Sequence, residues 1–594
     1  MNVSEYVVRF LADHGVEDVF MVSGGGIMYL VDALGRAGIP RYWCNYHEQA
    51  SAIAAEGYAR ISGTPGVCLV TSGPGATNAL SAIAGAWVDS IPVLVLSGQV
   101  RRDLIADYSR WRQFGPQEID IVAMATPVTK MAVEVQAAAD VPATLEAAWK
   151  AATSGRPGPV WISLPLDVQG ADLANAPSLV PTTDPHQTAP VDADLIQNVI
   201  GRLRAARRPV IVAGNGLHLA RAEKQFGDLV RRLRLPVVTT IGGMDLLSED
   251  HPYFAGRFGP TGQRRANFTL QNADLLLCLA TGLSVAAIGF DTEGFAPRAS
   301  KIIVNIDREE MARPHVHADL TIPLDVGTFM AELLACLDGE TVEHEEWTSL
   351  WRAWKSKYVI VTDDYLLDRE HVNTYYFASV LSTVLGSEDV VLTGNSLDAH
   401  SIFHSFAITA GQRVITNVNF GAMGWDVPAL VGASVARAGR RTILVTGDGS
   451  ILFNSQELLT IGSHKLDVVI FVANNAGYQS IRSTQGRFGE GRLFGSDFSS
   501  GIANPSFRDL AAANGLNHRV LRSNREVDEH LAEVLGEDGP TLCELNVAYD
   551  QDRRPRVMSR RLPDGTMVSG SLHDQYPFLP REELAAVMRA SSDG

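Results

Sequence analysis

The stretch Gly447-Asp448-Gly449-Ser450 decides the fold of this chain. It follows an apolar run, residues 441–446, that predicts a buried strand, and it precedes the helical pattern of residues 454–464. The glycines therefore lie in a strand-to-helix turn, where free backbone amides face an anion such as a diphosphate. A turn of this kind is typical of an open α/β sheet, which binds its ligands at the carboxyl ends of the strands.

The pair Asn474-Asn475 follows a second predicted strand, residues 466–473. If the two strands are neighbours, Asn475 lies beside Asp448. Carboxylate and amide oxygens suit a small divalent cation, and the backbone carbonyl of Gly477 is the expected third ligand from the protein. Each motif alone is also typical of an ordinary loop. Together they predict a cation, Mg²⁺, next to a bound diphosphate.

The composition limits the function classes. A chain of 594 residues suggests roughly three or four domains of ~150 residues. A formal net charge of −17 disfavours binding to nucleic acid or to an anionic membrane. No apolar run approaches the ~20 residues that cross a bilayer, and no secretory leader is evident. We expect a cytoplasmic protein whose partners are small molecules.

The cysteine pattern agrees with that location. The five cysteines are odd in number and widely spaced, and no Cys-x-x-Cys pair occurs. Disulfides and a zinc site are therefore not expected, and the thiols are predicted to be free in a reducing compartment.

The alternation of short apolar runs with helical patterns predicts an α/β protein with three doubly wound parallel-sheet domains. The predicted domains are residues 1–175, 193–340 and 365–550, followed by a tail at 551–594. A segment rich in Pro, Ala and Thr, residues 172–192, reads as a linker. The tail contains Arg553-Arg554-Pro555-Arg556 and is expected to fold over the body. The predicted strands are residues 19–22, 67–70, 93–96, 160–163, 210–213, 237–239, 275–278, 301–304, 390–392, 441–446 and 466–473.

Three further motifs carry a resemblance to a known family. They are Tyr46-His47-Glu48-Gln49-Ala50, residues 71–78 (TSGPGATN) and residues 152–159 (ATSGRPGP). With the Gly-Asp-Gly and Asn-Asn motifs, the chain resembles the thiamine-diphosphate enzymes of the acetohydroxyacid synthase and pyruvate oxidase group over nearly its whole length. The resemblance implies a pyrimidine-binding first domain, a central domain that is structural or holds FAD, and a diphosphate-binding third domain. Thiamine diphosphate and Mg²⁺ are the implied cofactors.

The resemblance also implies roles for individual residues. Glu48 would protonate the aminopyrimidine of the cofactor, Gln117 would polarise the substrate, and Met423 would lie between the two cofactor rings. Asp448, Asn475 and Gly477 would hold the cation. The other implied cofactor contacts are Gly25, Thr71, Asn78, Gly394, Asn395, Ser396, Gly421, Gly447, Gly449, Ser450, Tyr478 and Ile481. Without the resemblance, Glu48 reads as a first-turn helix residue, Gln117 as a surface amide and Met423 as core packing.

The implied reaction is decarboxylation of a 2-keto acid, with pyruvate favoured, and transfer of the acyl unit to a second carbonyl compound. The adjacent His-His pair of simple decarboxylases is absent from this sequence. Arg482 stands at or near the acceptor-side tryptophan of the synthases, and Leu166 stands at their lysine. Arg482 would therefore either bind an anionic acceptor or face solvent. The acceptor hypothesis is a keto-sugar nucleotide, and the alternatives are acetolactate synthase proper or a flavin-linked 2-keto-acid oxidase.

Two implications of the resemblance concern FAD and assembly. Gly214, Gly216 and Gly259 match positions that line FAD in the family, whereas residues 283–286 replace its usual Arg-Phe-Asp-Asp run. A glycine-rich turn is weak evidence by itself, so the sequence leaves FAD binding open. Because active sites of the family lie between subunits, a homodimer or homotetramer is implied.

Overall fold

A computed structural model describes residues 1–173, 191–337, 344–561 and 563–589. Within these ranges the chain forms three six-stranded parallel sheets, each flanked by helices, which confirms the predicted fold class. Most of the predicted linker at 172–192, together with the end of the predicted central domain and the last residues of the tail, lies outside the described residues. No helix in the described ranges is long and apolar enough to cross a bilayer.

The N-terminal sheet has the strand order β2-β1-β3-β4-β6-β5. Its strands are β1 (Asp18–Met21), β2 (Arg41–Cys44), β3 (Gly66–Val70), β4 (Val93–Gln99), β5 (Met131–Glu134) and β6 (Val160–Pro165). The helices are α1 (Val3–Asp13), α2 (Met28–Ala37), α3 (Glu48–Ser62), α4 (Pro74–Asp89), α5 (Ile121–Ala125), α6 (Val141–Thr153) and α7 (Leu166–Gln169). Short 3₁₀ turns lie at Gly25–Ile27, Arg102–Leu104, Thr126–Val128 and Ala138–Asp140.

The central sheet has the order β12-β11-β10-β7-β8-β9, the arrangement of dinucleotide-binding folds. Its strands are β7 (Pro209–Ala213), β8 (Val237–Thr239), β9 (Phe254–Arg257), β10 (Leu275–Leu279), β11 (Ser300–Val304) and β12 (Leu320–Ile322). The helices are α8 (Ala193–Ala205), α9 (Gly216–Leu219), α10 (Glu223–Leu233), α11 (Arg264–Gln271), α12 (Val285–Ile288), α13 (Arg308–Met311) and α14 (Val326–Cys336), with a 3₁₀ turn at Ile241–Gly243.

The C-terminal sheet, β14-β13-β15-β16-β18-β17, repeats the order of the N-terminal one. Its strands are β13 (Val390–Thr393), β14 (Arg413–Thr416), β15 (Thr442–Gly447), β16 (Val468–Asn474), β17 (Asn517–Leu521) and β18 (Thr541–Asn546). Helix α15 (Glu345–Lys357) precedes this domain and packs in the core of the central one. The helices of the C-terminal domain are α16 (Asp363–Leu366), α17 (Thr374–Val384), α18 (Leu397–Ser405), α19 (Asp426–Ala436), α20 (Glu457–His464), α21 (Gln479–Phe488), α22 (Phe507–Ala513) and α23 (Asn524–Leu535), with 3₁₀ turns at Ser450–Asn454 and Phe498–Ser500.

The tail forms short antiparallel pairs and one helix. Strand β19 (Arg556–Val557) pairs with β22 (Gln575–Tyr576), and β20 (Ser559–Arg561) pairs with β21 (Met567–Ser569). Helix α24 (Arg581–Arg589) ends the described chain, and its Leu584 and Val587 join the apolar core of the central domain. The tail therefore folds onto the body, as expected.

The strands that were not predicted lie mostly at sheet edges. Six of them, β2, β5, β9, β12, β14 and β17, are the outermost strands of the three sheets, and only β18 lies inside one. Some of these edge strands are exposed on one side or both: β2 is largely exposed and β5 is half-buried throughout. Their sequences therefore lack the continuous apolar run that marks an inner strand.

Helix α3 of the N-terminal domain packs directly against the C-terminal domain. Its alanine-rich surface packs on α19 at very short range: a Cβ atom added at Gly57 would lie 2.4 Å from the carbonyl oxygen of Ala429. One added at Gly432 would lie 1.8 Å from the carbonyl oxygen of Ala54. Only glycine fits at these two positions, so the two helices fix how the domains face each other.

Candidate cofactor site

Asp448 and Asn475 lie side by side at the carboxyl edge of the C-terminal sheet. Strands β15 and β16 are neighbours, with Gly447 opposite Ala473, so the turns that follow them meet. The Oδ2 atom of Asp448 accepts hydrogen bonds from the backbone amides of Asn475 (3.2 Å) and Gly477 (2.8 Å). The three residues predicted to hold a cation are therefore brought together.

Asp448 is almost completely buried, and a third donor completes its hydrogen bonding. The side-chain amide of Asn504 donates to the same Oδ2 atom at 2.8 Å, a contact that sequence reasoning missed. Burial raises the pKa of Asp448, although these donors favour the charged form. A cation at the other oxygen would stabilise the charged form of a carboxylate that is buried in this way.

Arg482 does not face solvent, so that sequence-based expectation is wrong, and its guanidinium is engaged by groups of the protein itself. It is buried, and its Nη2 atom donates to the carbonyl oxygens of Asn475 and Tyr549, both at 2.8 Å. Its Nη1 atom donates to the carbonyl of Ala476 at 3.3 Å, and its guanidinium lies 3.9 Å from the ring centre of Tyr549. The side chain therefore supports the loop that carries Asn475 and Gly477.

Gly449 allows two larger side chains to approach the glycine turn. A Cβ atom there would lie 2.4 Å from the ring of Tyr478 and 3.3 Å from the methyl group of Met423. Ser450 accepts a hydrogen bond from the amide of Gly424 at 3.0 Å. The predicted residues Met423, Gly449, Ser450 and Tyr478 thus form one cluster. Ile481, one turn further along α21, is exposed.

The loop after β13 joins the same cluster. The side-chain amide of Asn395 donates to the carbonyl of Gly421 at 2.6 Å, and the hydroxyls of Ser396 and Ser480 lie 2.6 Å apart. The amide of Gly394 donates to the carboxylate of Asp398 at 3.0 Å. The loops after β13, β15 and β16 therefore meet around one cleft.

Two buried carboxylates that sequence reasoning missed lie behind this cleft. A Cβ atom added at Gly394 would lie 2.7 Å from Oδ2 of Asp398 and 3.3 Å from Oδ2 of Asp426, so the two acids are close neighbours. Burial, and then the charge of Asp426, raise the pKa of Asp398 to about 7. Each acid stands in the first turn of a helix, where Asp is common. Nothing in the sequence shows that these two helix starts meet.

A second group of predicted residues lies at the carboxyl edge of the N-terminal sheet. Oε2 of Glu48 accepts a hydrogen bond from the side chain of Asn78 at 2.9 Å. A Cβ atom added at Gly75 would lie 3.1 Å from the other carboxylate oxygen and 2.7 Å from the methyl group of Thr71. The hydroxyl of Thr71 accepts from the amide of Gly26 at 3.1 Å, next to the exposed Gly25.

Gln117 lies on an exposed loop against the same edge. Its φ angle is +61°, and a Cβ atom at Gly73 would lie 2.0 Å from the carbonyl oxygen of Gln117. Gly73 precedes the first turn of α4, which carries Gly75 and Asn78. The loop thus brings Gln117 close to the group around Glu48.

Hydrogen bonds link the surroundings of the two groups within one chain. The side chain of Asn45 donates to Glu457 at 2.8 Å, and Asn454 donates to Gln49 at 3.3 Å. Among the described residues, no hydrogen bond joins Glu48 itself to the cluster around Asp448. The N-terminal group and the C-terminal group remain two half-sites.

The central domain borders a separate cavity of about 1100 Å³. Asn215 and Thr281, which follow β7 and β10, line it at the point where the strand order reverses. Arg156 also lines it and is paired with Glu310 (2.6 Å) and Asp307 (3.1 Å). The position is where dinucleotide-binding sheets hold their ligands.

Comparison with known proteins agrees with this arrangement of three domains. Residues 1–124 match the description "Thiamine pyrophosphate enzyme, N-terminal TPP binding domain", residues 196–333 the central domain of the same enzymes, and residues 396–545 their C-terminal TPP binding domain. The chain belongs to the thiamine pyrophosphate enzyme family. The two half-sites thus lie in the two domains that bind the cofactor in this family.

Curated relatives place the chain more narrowly within the family. It is 30% identical over 560 residues to acetolactate synthase isozyme 1 large subunit of Escherichia coli K12, covering 93% of this chain and 95% of the relative. It is 31% identical over 600 residues to the probable acetolactate synthase large subunit of Methanococcus aeolicus, covering 98% of this chain and 97% of the relative. It is 32% identical over 562 residues to the probable acetolactate synthase large subunit of Methanocaldococcus jannaschii, covering 92% of each chain. The chain is an acetolactate-synthase-like thiamine-diphosphate enzyme.

Proposed function

We propose that this enzyme decarboxylates a 2-keto acid, pyruvate first of all, and transfers the two-carbon acyl unit to a second carbonyl compound. The observation that carries the proposal is the meeting of Asp448 with the Asn475–Gly477 loop in the C-terminal domain, while the N-terminal domain presents a carboxylate, Glu48. Thiamine diphosphate, when bound, supplies the carbon nucleophile and takes up the electrons released with CO₂.

The donor set fits a magnesium ion. The proposed ligands, a carboxylate oxygen of Asp448, the side-chain oxygen of Asn475 and the carbonyl of Gly477, are all hard oxygen atoms. The hydrogen bonds from Asn475, Gly477 and Asn504 all reach Oδ2 of Asp448, and Oδ1 is the oxygen proposed to bind the cation. Soft metals are disfavoured because the proposed ligand set contains no thiolate or imidazole.

Each half-site has a proposed task. Glu48 holds and exchanges the proton that activates the cofactor, and the amide of Asn78 keeps its carboxylate in position. Gln117 polarises the substrate carbonyl from its exposed loop. Met423 and Tyr478, both in contact range of Gly449, shape the apolar wall of the cleft. The glycine turn and the loop of Gly394, Asn395 and Ser396 hold the diphosphate.

The proposed acceptor is the ketone of a keto-sugar nucleotide. Acetolactate synthase proper is the competing reading, and it rests on the names of the relatives. Purified protein incubated with thiamine diphosphate, Mg²⁺ and pyruvate, with and without a nucleotide-linked 4-keto sugar, distinguishes them by product mass. We expect the sugar to add two carbons and to raise pyruvate consumption. Efficient acetolactate formation without stimulation by the sugar would assign the synthase reaction instead.

We further propose that the central cavity holds FAD in a structural role. Its volume and its place at the reversal of strand order support a bound dinucleotide. The purified protein should be yellow, with flavin absorbance that remains when pyruvate is turned over without oxygen. Bleaching by pyruvate together with oxygen uptake in air would favour the flavin-linked oxidase.

The working unit is proposed to be a homodimer or homotetramer in which Glu48 of one subunit serves the cofactor held by another. Glu48 and the Asp448 cluster do not meet by hydrogen bonds among the described residues of one chain. Large apolar side chains beside the two half-sites, including Tyr46, Phe420 and Phe453, are exposed. All five cysteines are free, in keeping with the proposed cytoplasmic location.

A further inference from the structure

Three arginines converge beside the cofactor cleft, and we refer to Arg487, Arg553 and Arg556 as the arginine cluster. Arg487 stands in the last turn of α21, whose N-terminal end contributes Tyr478 and Ser480 to the cleft. Arg553 lies between β18 and β19, and Arg556 is the first residue of β19. The sequence analysis interpreted the basic run of residues 553–556 only as part of the C-terminal tail.

Hydrogen bonds hold the basic segment against the helices that border the cleft. The side chain of Gln479, in the first turn of α21, donates to the carbonyl of Gln551 at 2.8 Å. The amide of Arg554 donates to the hydroxyl of Tyr375 in α17 at 2.9 Å. Arg553 lies between these two anchors. The guanidinium of Arg556 donates to the carbonyl of Arg553 at 3.0 Å, which keeps the two arginines adjacent.

Within the described part of the chain, Asp552 is the one acidic partner that the cluster contacts. Arg556 is paired with Asp552. No hydrogen bond or ion pair is found there for the guanidinium of Arg553, and its Nε atom is buried without a partner. Arg487 has no acidic partner in hydrogen-bond range in the same ranges. Burial, and then mutual repulsion with Arg556, lower the pKa of both Arg553 and Arg487.

The nearby His400 adds no positive charge to the cluster. Burial, and then the charge of Arg553, lower the pKa of His400 to about 4, so it is neutral at pH 7. His400 stands one helical turn after Ser396, and its Nδ1 atom lies 2.6 Å from the carbonyl oxygen of Ser396. The hydrogen bond from Gln479 to Gln551 places the cluster beside α21, whose first turn borders the cleft.

We propose that the arginine cluster binds the diphosphate of a nucleotide-linked acceptor, outside the turn that takes the diphosphate of the cofactor. Unpaired guanidinium groups match phosphate oxygens in charge and in the geometry of their donors. In a chain with a net charge of −17, partly buried arginines without acidic partners are unfavourable unless an anion neutralises them. The inference rests on the proposed transfer reaction and names what its acceptor carries.

The test is calorimetric titration of the enzyme, saturated with thiamine diphosphate and Mg²⁺, with uridine diphosphate, cytidine diphosphate and inorganic pyrophosphate. We expect at least one nucleoside diphosphate to bind, and Arg553→Gln to weaken that binding by tenfold or more. Arg487→Gln should weaken it severalfold, and Arg525→Gln, on the exposed side of α23, should leave it unchanged. Because Arg487 is exposed, its variant keeps the test valid if Arg553→Gln does not fold.

Three results would overturn the inference. The first is that none of these probes binds to the wild-type enzyme. The second is that both cluster variants bind the probes as the wild type does. The third is that the cluster variants lose affinity for thiamine diphosphate and not for the probes. The last result would assign the cluster to the cofactor. Release of CO₂ from pyruvate is measured in parallel: its absence from the wild-type enzyme would refute the proposed reaction, whereas its presence without diphosphate binding would refute only the acceptor site.

Discussion

The guanidinium of Arg482 holds the backbone and the side chain of Asn475 at once. Its Nη2 atom lies 2.8 Å from the carbonyl oxygen and 3.4 Å from the side-chain oxygen Oδ1 of that residue. The same side chain stacks on Tyr549, which follows β18. The orientation of one proposed metal ligand therefore depends on a residue seven positions later in the chain and on a ring from another loop.

Replacing Arg482 should weaken cation binding while the protein stays folded. In Arg482→Met the carbonyl groups of Asn475 and Ala476 lose their donors, so the loop can turn the proposed ligands away from Asp448. We expect the Mg²⁺ concentration for half-maximal binding of thiamine diphosphate to rise by about tenfold to a hundredfold. Tryptophan fluorescence during a Mg²⁺ titration measures it.

Tyr549→Phe is the matched control for this loop. It keeps the ring beside Arg482 and removes only the hydroxyl that donates to Asp497, so its Mg²⁺ requirement should stay near that of the wild type. If Arg482→Met also retains the wild-type requirement, Arg482 does not position the proposed metal ligand.

Glu48→Gln should separate cofactor binding from cofactor activation. The amide keeps the shape of the carboxylate and can still accept from Asn78, but it cannot exchange a proton in the same way. We expect the dissociation constant of thiamine diphosphate to stay within a few fold. Hydrogen–deuterium exchange at C2 of the bound cofactor, followed by NMR, should slow by roughly 10²–10⁴-fold. Exchange at the wild-type rate would remove Glu48 from the proposed mechanism.

The buried acid pair predicts that stability falls as the pH rises. Asp398 titrates at 3.8 when unperturbed and at about 7 in the folded protein, so between these values the folded state retains a proton that the unfolded state has lost. This lowers the free energy of unfolding from about pH 4 to about pH 7, after which the effect levels off. Asp398→Asn removes the loss, which is on the order of a few kcal/mol.

Melting temperatures at pH 4 and pH 8 measure this effect. Asp398→Asn should melt above the wild type at pH 8 and close to it at pH 4. Asp509→Asn, at an exposed position in α22, should differ little from the wild type at both pH values. A variant Asp398→Asn that gains nothing on going from pH 4 to pH 8 would show that the acid is ionised in the folded protein.

The contact between α3 and α19 predicts a severe packing defect. In Gly432→Ala the new Cβ atom would lie 1.8 Å from the backbone oxygen of Ala54, and a backbone atom cannot move aside as a side chain does. We expect a loss of about 1–3 kcal/mol or more in the free energy of unfolding. Gly201→Ala, in α8 with no atom within 4 Å of the new Cβ, should be neutral or slightly stabilising. Equal denaturant midpoints for the two variants would contradict the close contact.

The sequence was sufficient for the features that depend on local pattern. The inner strands show continuous apolar runs, and the motifs at Asp448 and Asn475 end two such runs that prove to be neighbours. Edge strands such as β2 escaped detection because they lack that pattern. The burial of Arg482 was not predicted, since its partners Tyr549 and Ser496 come from distant loops whose positions depend on the tertiary fold. The neighbouring acids Asp398 and Asp426 were missed for the same reason.

The measurement that tests the central claim most directly is calorimetric titration of thiamine diphosphate into the wild-type protein and into Asp448→Asn, each with Mg²⁺ and with EDTA. If the Asp448–Asn475 edge holds the diphosphate through a cation, the wild type binds the cofactor tightly only with Mg²⁺. Asp448→Asn should then bind at least a hundredfold more weakly, while keeping its melting temperature in EDTA. Tight binding by Asp448→Asn, or equal binding by the wild type in EDTA, would contradict the account.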